Sequence, residues 1–156
     1  ERNYKAQTDM AHQLNSKNEI FTERLMSGTW YCPGGTSTIA QLIKDANGIY
    51  SFAENEKAGS IPLTFEQVFA KTQQAKVWAF TYNDEKDMTM GDLLKENDRY
   101  KALKVVSHGS VYACNASKVP FFEETPFRPD WLLHDFIIML HPNHFQANQL
   151  KYYKKL

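Results

Sequence analysis

The sequence predicts an α/β fold, a three-layer sandwich in which a mostly parallel central sheet carries helices on both faces. Two observations carry this. Short β-branched and aromatic runs, Val77-Trp78-Ala79-Phe80 and Val111-Tyr112-Ala113-Cys114, have the length and composition of buried strands. Between them and before them lie segments with apolar residues at helical spacing, and strands that alternate with helices form parallel sheets.

Residues 1–15 read as a short polar helix marked by Tyr4, Met10 and Leu14. It offers little apolar surface to a core. Residues 19–26 hold Ile20, Phe21, Leu25 and Met26 and read as one strand broken by polar residues. The stretch Gly28-Thr29-Trp30-Tyr31-Cys32-Pro33-Gly34-Gly35 reads as a turn-rich loop. A helix then starts at Thr36 or Ser37, either of which serves as N-cap. Its stripe is Ile39, Leu42, Ile43 and Ala46, and Gly48 is the stop signal. Ile49 to Phe52 is a short strand and 54–62 a loop.

Thr64 and Gln67 form a capping box ahead of Phe65, Val68, Phe69 and Thr72. After the strand at Val77 comes an acidic loop, Asn83 to Asp87. Thr89 caps a third helix with Met90, Leu93 and Leu94 that runs unevenly toward Leu103. His108-Gly109-Ser110 is a turn before the next strand. Residues 115–129 form a long connection rich in aromatics and prolines. The last helix starts near Asp130 behind Pro129, buries Leu132, Leu133, Phe136 and Leu140, and ends at Pro142. The Lys151-Tyr152-Tyr153-Lys154-Lys155 end reads as solvated.

Composition excludes several functions. Lysine plus arginine and aspartate plus glutamate number 18 each, so there is no net basic charge to displace counterions from nucleic acid. No apolar run approaches 18 residues, the length of a transmembrane helix. Pro33-Gly34-Gly35-Thr36-Ser37 lacks the lysine of a P-loop, and no dinucleotide fingerprint is present. The five histidines, His12, His108, His134, His141 and His144, form no metal motif and read as solvated side chains near a helix end. No nucleophile elbow is present, and the adjacent Glu123 and Glu124 point apart. No cofactor is expected. Cys32 and Cys114 read by default as buried free thiols. Both follow or end strands, which also permits a disulfide closing a loop of about 80 residues, worth ~4 kcal/mol.

In open parallel sheets, ligands meet the loops beyond the strands' C-terminal ends. The segments 30–37, 82–87 and 115–127 fall there. Aromatics in such loops either plug a hydrophobic edge or line a pocket for a large, flat ligand.

The order and spacing of these segments resemble a known family. Gly28 to Ser37, followed by Ala40-Gln41-Leu42-Ile43-Lys44-Asp45-Ala46, resembles the first strand, loop and helix of the C-terminal lobe of helix-linked (class III) periplasmic substrate-binding proteins. Leu63 to Val68 with Ala75 to Trp78 is similar to the next helix and strand. Leu103 to Tyr112 and Phe121 to Asp130, with Leu133, Asp135 and Leu140-His141-Pro142, are similar to the family's closing segments. The variant resembles those of Bacteroides-type bacteria.

The resemblance covers roughly residues 20–142. It implies a non-enzymatic solute-binding lobe of an ABC importer for iron-siderophores, haem or cobalamin-like ligands, in the periplasm or cell envelope and lipid-anchored in a full-length protein. Residues 1–18 would follow the inter-lobe helix, 19–156 would be the C-terminal lobe, and an N-terminal lobe would supply the other pocket wall. Partners would be the metal chelate and the membrane permease, although Thr36-Ser37-Thr38 lacks the glutamate that several relatives use for docking. The expected ligand contacts are Trp30, Tyr31, Phe121 and Phe122 by stacking, and Glu123 or Arg24 by polar orientation. Two other readings are an α/β lobe of a chelatase- or nitrogenase-like metalloenzyme, which needs a His/Cys/carboxylate cluster, and an interaction domain that lost its ligand.

Overall fold

A computed structural model of the chain describes residues 2–156; Glu1, the first residue of the expected N-terminal helix, lies outside them. The elements in chain order are α1 (Arg2–Ala11), β1 (Glu19–Thr22), β2 (Leu25–Met26), β3 (Thr29–Pro33), α2 (Thr38–Asp45), β4 (Ile49–Tyr50), β5 (Ser60–Leu63) and α3 (Phe65–Lys71). They continue with β6 (Val77–Tyr82), α4 (Met90–Glu96), a 3-10 segment (Asp98–Ala102), α5 (Lys104–His108), β7 (Ser110–Asn115), α6 (Phe121–Glu124), α7 (Pro129–Leu140), a second 3-10 turn (Ala147–Gln149) and β8 (Lys154–Lys155).

The central sheet has the order β4-β1-β6-β7-β8, parallel except for β8 at its edge. Register sets the two faces, because paired residues in parallel strands point the same way. Phe21 pairs with Trp78, and their rings stack at 5.4 Å and 16°. Trp78, Phe80 and Tyr82 alternate along β6 on that face, which Trp30 and Tyr100 cover. The buried Tyr153, which follows Asp135's capped tail, packs at 5.9 Å from Phe136 of α7. α7 buries nine of its twelve residues, Asp130 and Asp135 among them, as expected for a helix packed on nearly all sides.

The sequence-predicted caps are present. Ser37 Oγ accepts from the Ala40 amide, and Thr64 with Gln67 closes a reciprocal box at 3.1 and 2.9 Å. Pro129 occupies the first turn of α7.

Four expectations are corrected. The span 19–26 is two strands in different sheets, because Glu23 takes φ 68° and turns the chain out of the parallel sheet. Residues Thr29 to Pro33 are not a loop but the middle strand of a second, antiparallel sheet, β2-β3-β5. Its hairpin is tight: Met26 pairs with Thr29 around Ser27 and Gly28, both at positive φ, as the twist-matched two-residue turn demands. β5 falls in the predicted loop. Pro62 sits there without a ladder donor, which an edge strand tolerates.

The C-terminal end is docked rather than solvated. The buried Asp135 carboxylate accepts the backbone amides of Lys151, Tyr152 and Tyr153 at 2.8, 2.7 and 3.1 Å. The chain then pairs Lys154 with Ala113. Helix α1 is likewise tied down, Asn3 to Asp130 at 2.8 Å and Tyr4 to Asp45 at 2.6 Å. Among the described residues, no helix is long and apolar enough to cross a membrane.

Candidate ligand-binding edge

The parallel strands β1, β6 and β7 end on the same side, at Thr22, Tyr82 and Asn115. Asn115 organises the loop after β6: its amide donates to Asp84 O, and its side-chain oxygen accepts from the Asp84 and Ser117 amides. The Asn115 side chain is therefore buried and engaged.

At the end of β1, Glu23 is held by its backbone in a left-handed conformation that costs a non-glycine residue free energy. Its amide donates to Ala79 O at 3.2 Å, and its carbonyl accepts from Trp78 Nε1 at 2.7 Å. The residue lines a shallow cavity of about 420 Å³ together with Tyr31, Pro33, Ser37, Thr38, Ile39 and 58–60. Burial pushes its carboxyl above the usual range, opposed by the Arg24 charge, and no hydrogen bond to the carboxylate offsets that shift. A second cavity of about 490 Å³ shares Ser37 and runs along α2 to Gly48, Ile49 and Tyr50.

The glycines before α2 serve backbone proximity. A Cβ on Gly34 would meet Lys57 O, and one on Gly35 would meet Asn55 O and Ala53 O. The Gly34 amide is already used by Gly59 O at 2.8 Å. This loop is a packed corner beside the cavity.

The expected contact residues separate. Trp30 is 0% exposed, its Nε1 donates to Thr22 O at 2.9 Å, and its ring lies 5.6–5.9 Å from Phe21, Trp78 and Tyr100. It is core, which corrects its assignment to a pocket wall. Phe121 is 7% exposed beneath Tyr152 and Tyr153 and is also core. Tyr31, at 50% exposure, lines the cavity with Glu23. Phe122, at 57%, and the exposed Glu123 lie on α6 and do not line it.

Arg24 is committed to Glu96 at 2.8 and 3.0 Å and lies 5.5 Å from the Phe80 ring centre, so it orients protein rather than lining the cavity. Cys32 and Cys114 are free buried thiols, in β3 of the small sheet and β7 of the large one, so no disulfide joins them; burial pushes both up to about 12. Among the described residues no group of three His, Cys, Asp or Glu could hold a metal ion. His141 is buried, with Nε2 2.8 Å from Ala46 O, and is not one of the solvated histidines expected near that helix end.

Sequence reading passed over Glu23. The available signal was a lone acid directly after the apolar Ile20-Phe21-Thr22 run, at the C-terminal end of a strand.

The sequence matches no family model and no curated protein. The fold does match solved structures. One is an ABC transporter substrate-binding protein of Listeria monocytogenes, at TM-score 0.68 and 16% identity, over 91% of this chain and 54% of that one. Another is the periplasmic vitamin B12 binding protein of Vibrio cholerae, at 0.65 and 17%, over 93% and 52%. A third is a periplasmic heme-binding protein of Roseiflexus, at 0.59 and 17%, over 88% and 51%. The chain thus spans about half the length of these structures, and what it shares with them is the α/β fold of one lobe of a periplasmic binding protein.

Proposed function

We propose that the chain is the C-terminal lobe of the solute-binding component of an ABC importer for iron chelates, haem or cobalamin-like ligands, and that it binds without chemistry. The observation that supports this best is the superposition of nearly the whole chain on half of several transport binding proteins. The edge geometry agrees with it. The cavity at the end of β1 has an aromatic side chain, a half-buried carboxyl and the start of a helix. On this reading a second lobe supplies the facing wall, the protein works in the periplasm or cell envelope on a lipid anchor, and a membrane permease receives the ligand. Tyr31 is the stacking residue retained from the sequence expectation, and Glu23 joins it.

Amide chemical-shift mapping of the ¹⁵N-labelled chain tests this with cyanocobalamin and with gallium(III) siderophore complexes, which are diamagnetic stand-ins for the ferric ones. One wall of a pocket should bind weakly, with dissociation constants well above micromolar. The expected shifts fall at 22–24, 30–39 and 58–60. No shift at millimolar ligand, or shifts confined to the α1–α7 side, would contradict the reading.

A further inference from the structure

Among the described residues that line its cavity, Glu23 is the charged one; the others are Tyr31, Pro33, Ser37, Thr38, Ile39 and the neutral segment 58–60. The nearest basic residue in sequence, Arg24, is already engaged by Glu96 and the Phe80 face. The start of α2 contributes a partial positive charge, equivalent to roughly half an elementary charge. Ser37 Oγ already occupies its Ala40 amide. When ionised, the Glu23 carboxylate outweighs that partial charge and gives the lining residues a net negative charge. A half-buried carboxylate without a donor is an incomplete arrangement, since buried charge is costly unless paired or hydrogen-bonded. The backbone holds Glu23 at the cavity through two hydrogen bonds, its amide to Ala79 O and Trp78 Nε1 to its carbonyl, at positive φ.

We infer that Glu23 selects ligands by charge, favouring a chelate that presents a protonated amine at this edge over one that presents a neutral group there, and disfavouring carboxylates or an anionic metal centre. This rests on the solute-binding reading and narrows it. Neutral or cationic hydroxamate complexes and carboxamide-rimmed corrinoids fit, whereas haem propionates and triply charged catecholate complexes meet repulsion from the carboxylate.

The test compares gallium(III) desferrioxamine B, which carries a free ammonium, with its N-acetyl derivative, the same chelate without the charge. Both are titrated into the ¹⁵N-labelled chain and its Glu23→Gln variant. The ammonium complex should bind about fivefold more tightly, the upper end for a partly exposed ion pair. Glu23→Gln should abolish the difference while leaving the acetylated complex within about twofold of its original affinity. Equal binding by the unaltered chain, or a preference that survives Glu23→Gln, overturns the inference while the shifts at 22–39 still uphold the binding lobe. Shifts from neither complex overturn both. If Glu23→Gln does not fold, the pair of chelates on the unaltered chain still decides.

Discussion

The strand β3 and the short helix α6 each carry two adjacent aromatics, and in both one ring is buried and its neighbour exposed. On β3, Trp30 is 0% exposed and Tyr31 50%; on α6, Phe121 is 7% and Phe122 57%. The outward rings then differ. Tyr31 shares a cavity with an unpaired carboxyl, while Phe122 packs edge-on against its own neighbour at 5.1 Å. Two adjacent aromatics are therefore not one recognition element. In a strand, successive side chains point to opposite faces, so an aromatic pair divides its labour between core and surface.

The largest effects should come from the inward rings. Trp30→Ala removes a fully buried indole and its hydrogen bond to Thr22, and Phe121→Ala opens a hole beneath the docked C-terminal tyrosines; each should cost about 3–5 kcal/mol. Urea denaturation checks this. If Trp30→Ala were as mild as a surface change, the division on β3 would fail. Next comes the corner beside Tyr31. Gly35→Ala forces a methyl onto the Ala53 and Asn55 carbonyls and should destabilise by about 1–3 kcal/mol. A neutral outcome in the same assay would mean that the corner is loose.

A smaller effect depends on pH. Burial lowers the His141 pKa, against the favourable Ala46 carbonyl. The unfolded chain therefore binds more protons than the folded one below about pH 6.5. The contribution is present above that pH and is lost as pH falls from there through the lowered folded-state value. Urea midpoints should drop between pH 7.5 and 5.5, and His141→Gln should flatten that drop. The smallest effects belong to the outward rings: Tyr31→Ala and Phe122→Ala should each change stability by less than about 0.5 kcal/mol. A larger loss for Tyr31→Ala would make it structural.

The α/β fold was legible because the β6 and β7 segments and the α2, α3 and α7 stripes carry strong periodicity, and the caps at Ser37, Thr64 and Thr89 are local. The second sheet was not legible. Glu23 takes positive φ without being glycine, so the turn that leads out of the parallel sheet leaves no compositional mark, and the Ser27-Gly28 turn was read as part of a loop rather than as a hairpin. Asp135 was hidden for a different reason: its three amide partners lie 16 to 18 residues onward, and a charged residue on a helix reads as exposed until those partners arrive. Of the candidate edge, the common side of the strand ends was readable, and the exposed Tyr31 lines the cavity there. Trp30 was misplaced because Gly28, Pro33, Gly34 and Gly35 around it suggested a loop, and Glu23 was missed because an isolated acid carries no motif.

On the proposed reading, the end of β1 and the outward face of β3 form the ligand-binding edge. Titrating cyanocobalamin into ¹⁵N-labelled Tyr31→Ala and Phe122→Ala chains tests it most directly. Tyr31→Ala should weaken the shifts at 22–24 and 30–39 severalfold while Phe122→Ala leaves them unchanged. The opposite order, with Phe122→Ala abolishing binding and Tyr31→Ala without effect, would move the site to α6 and contradict the account.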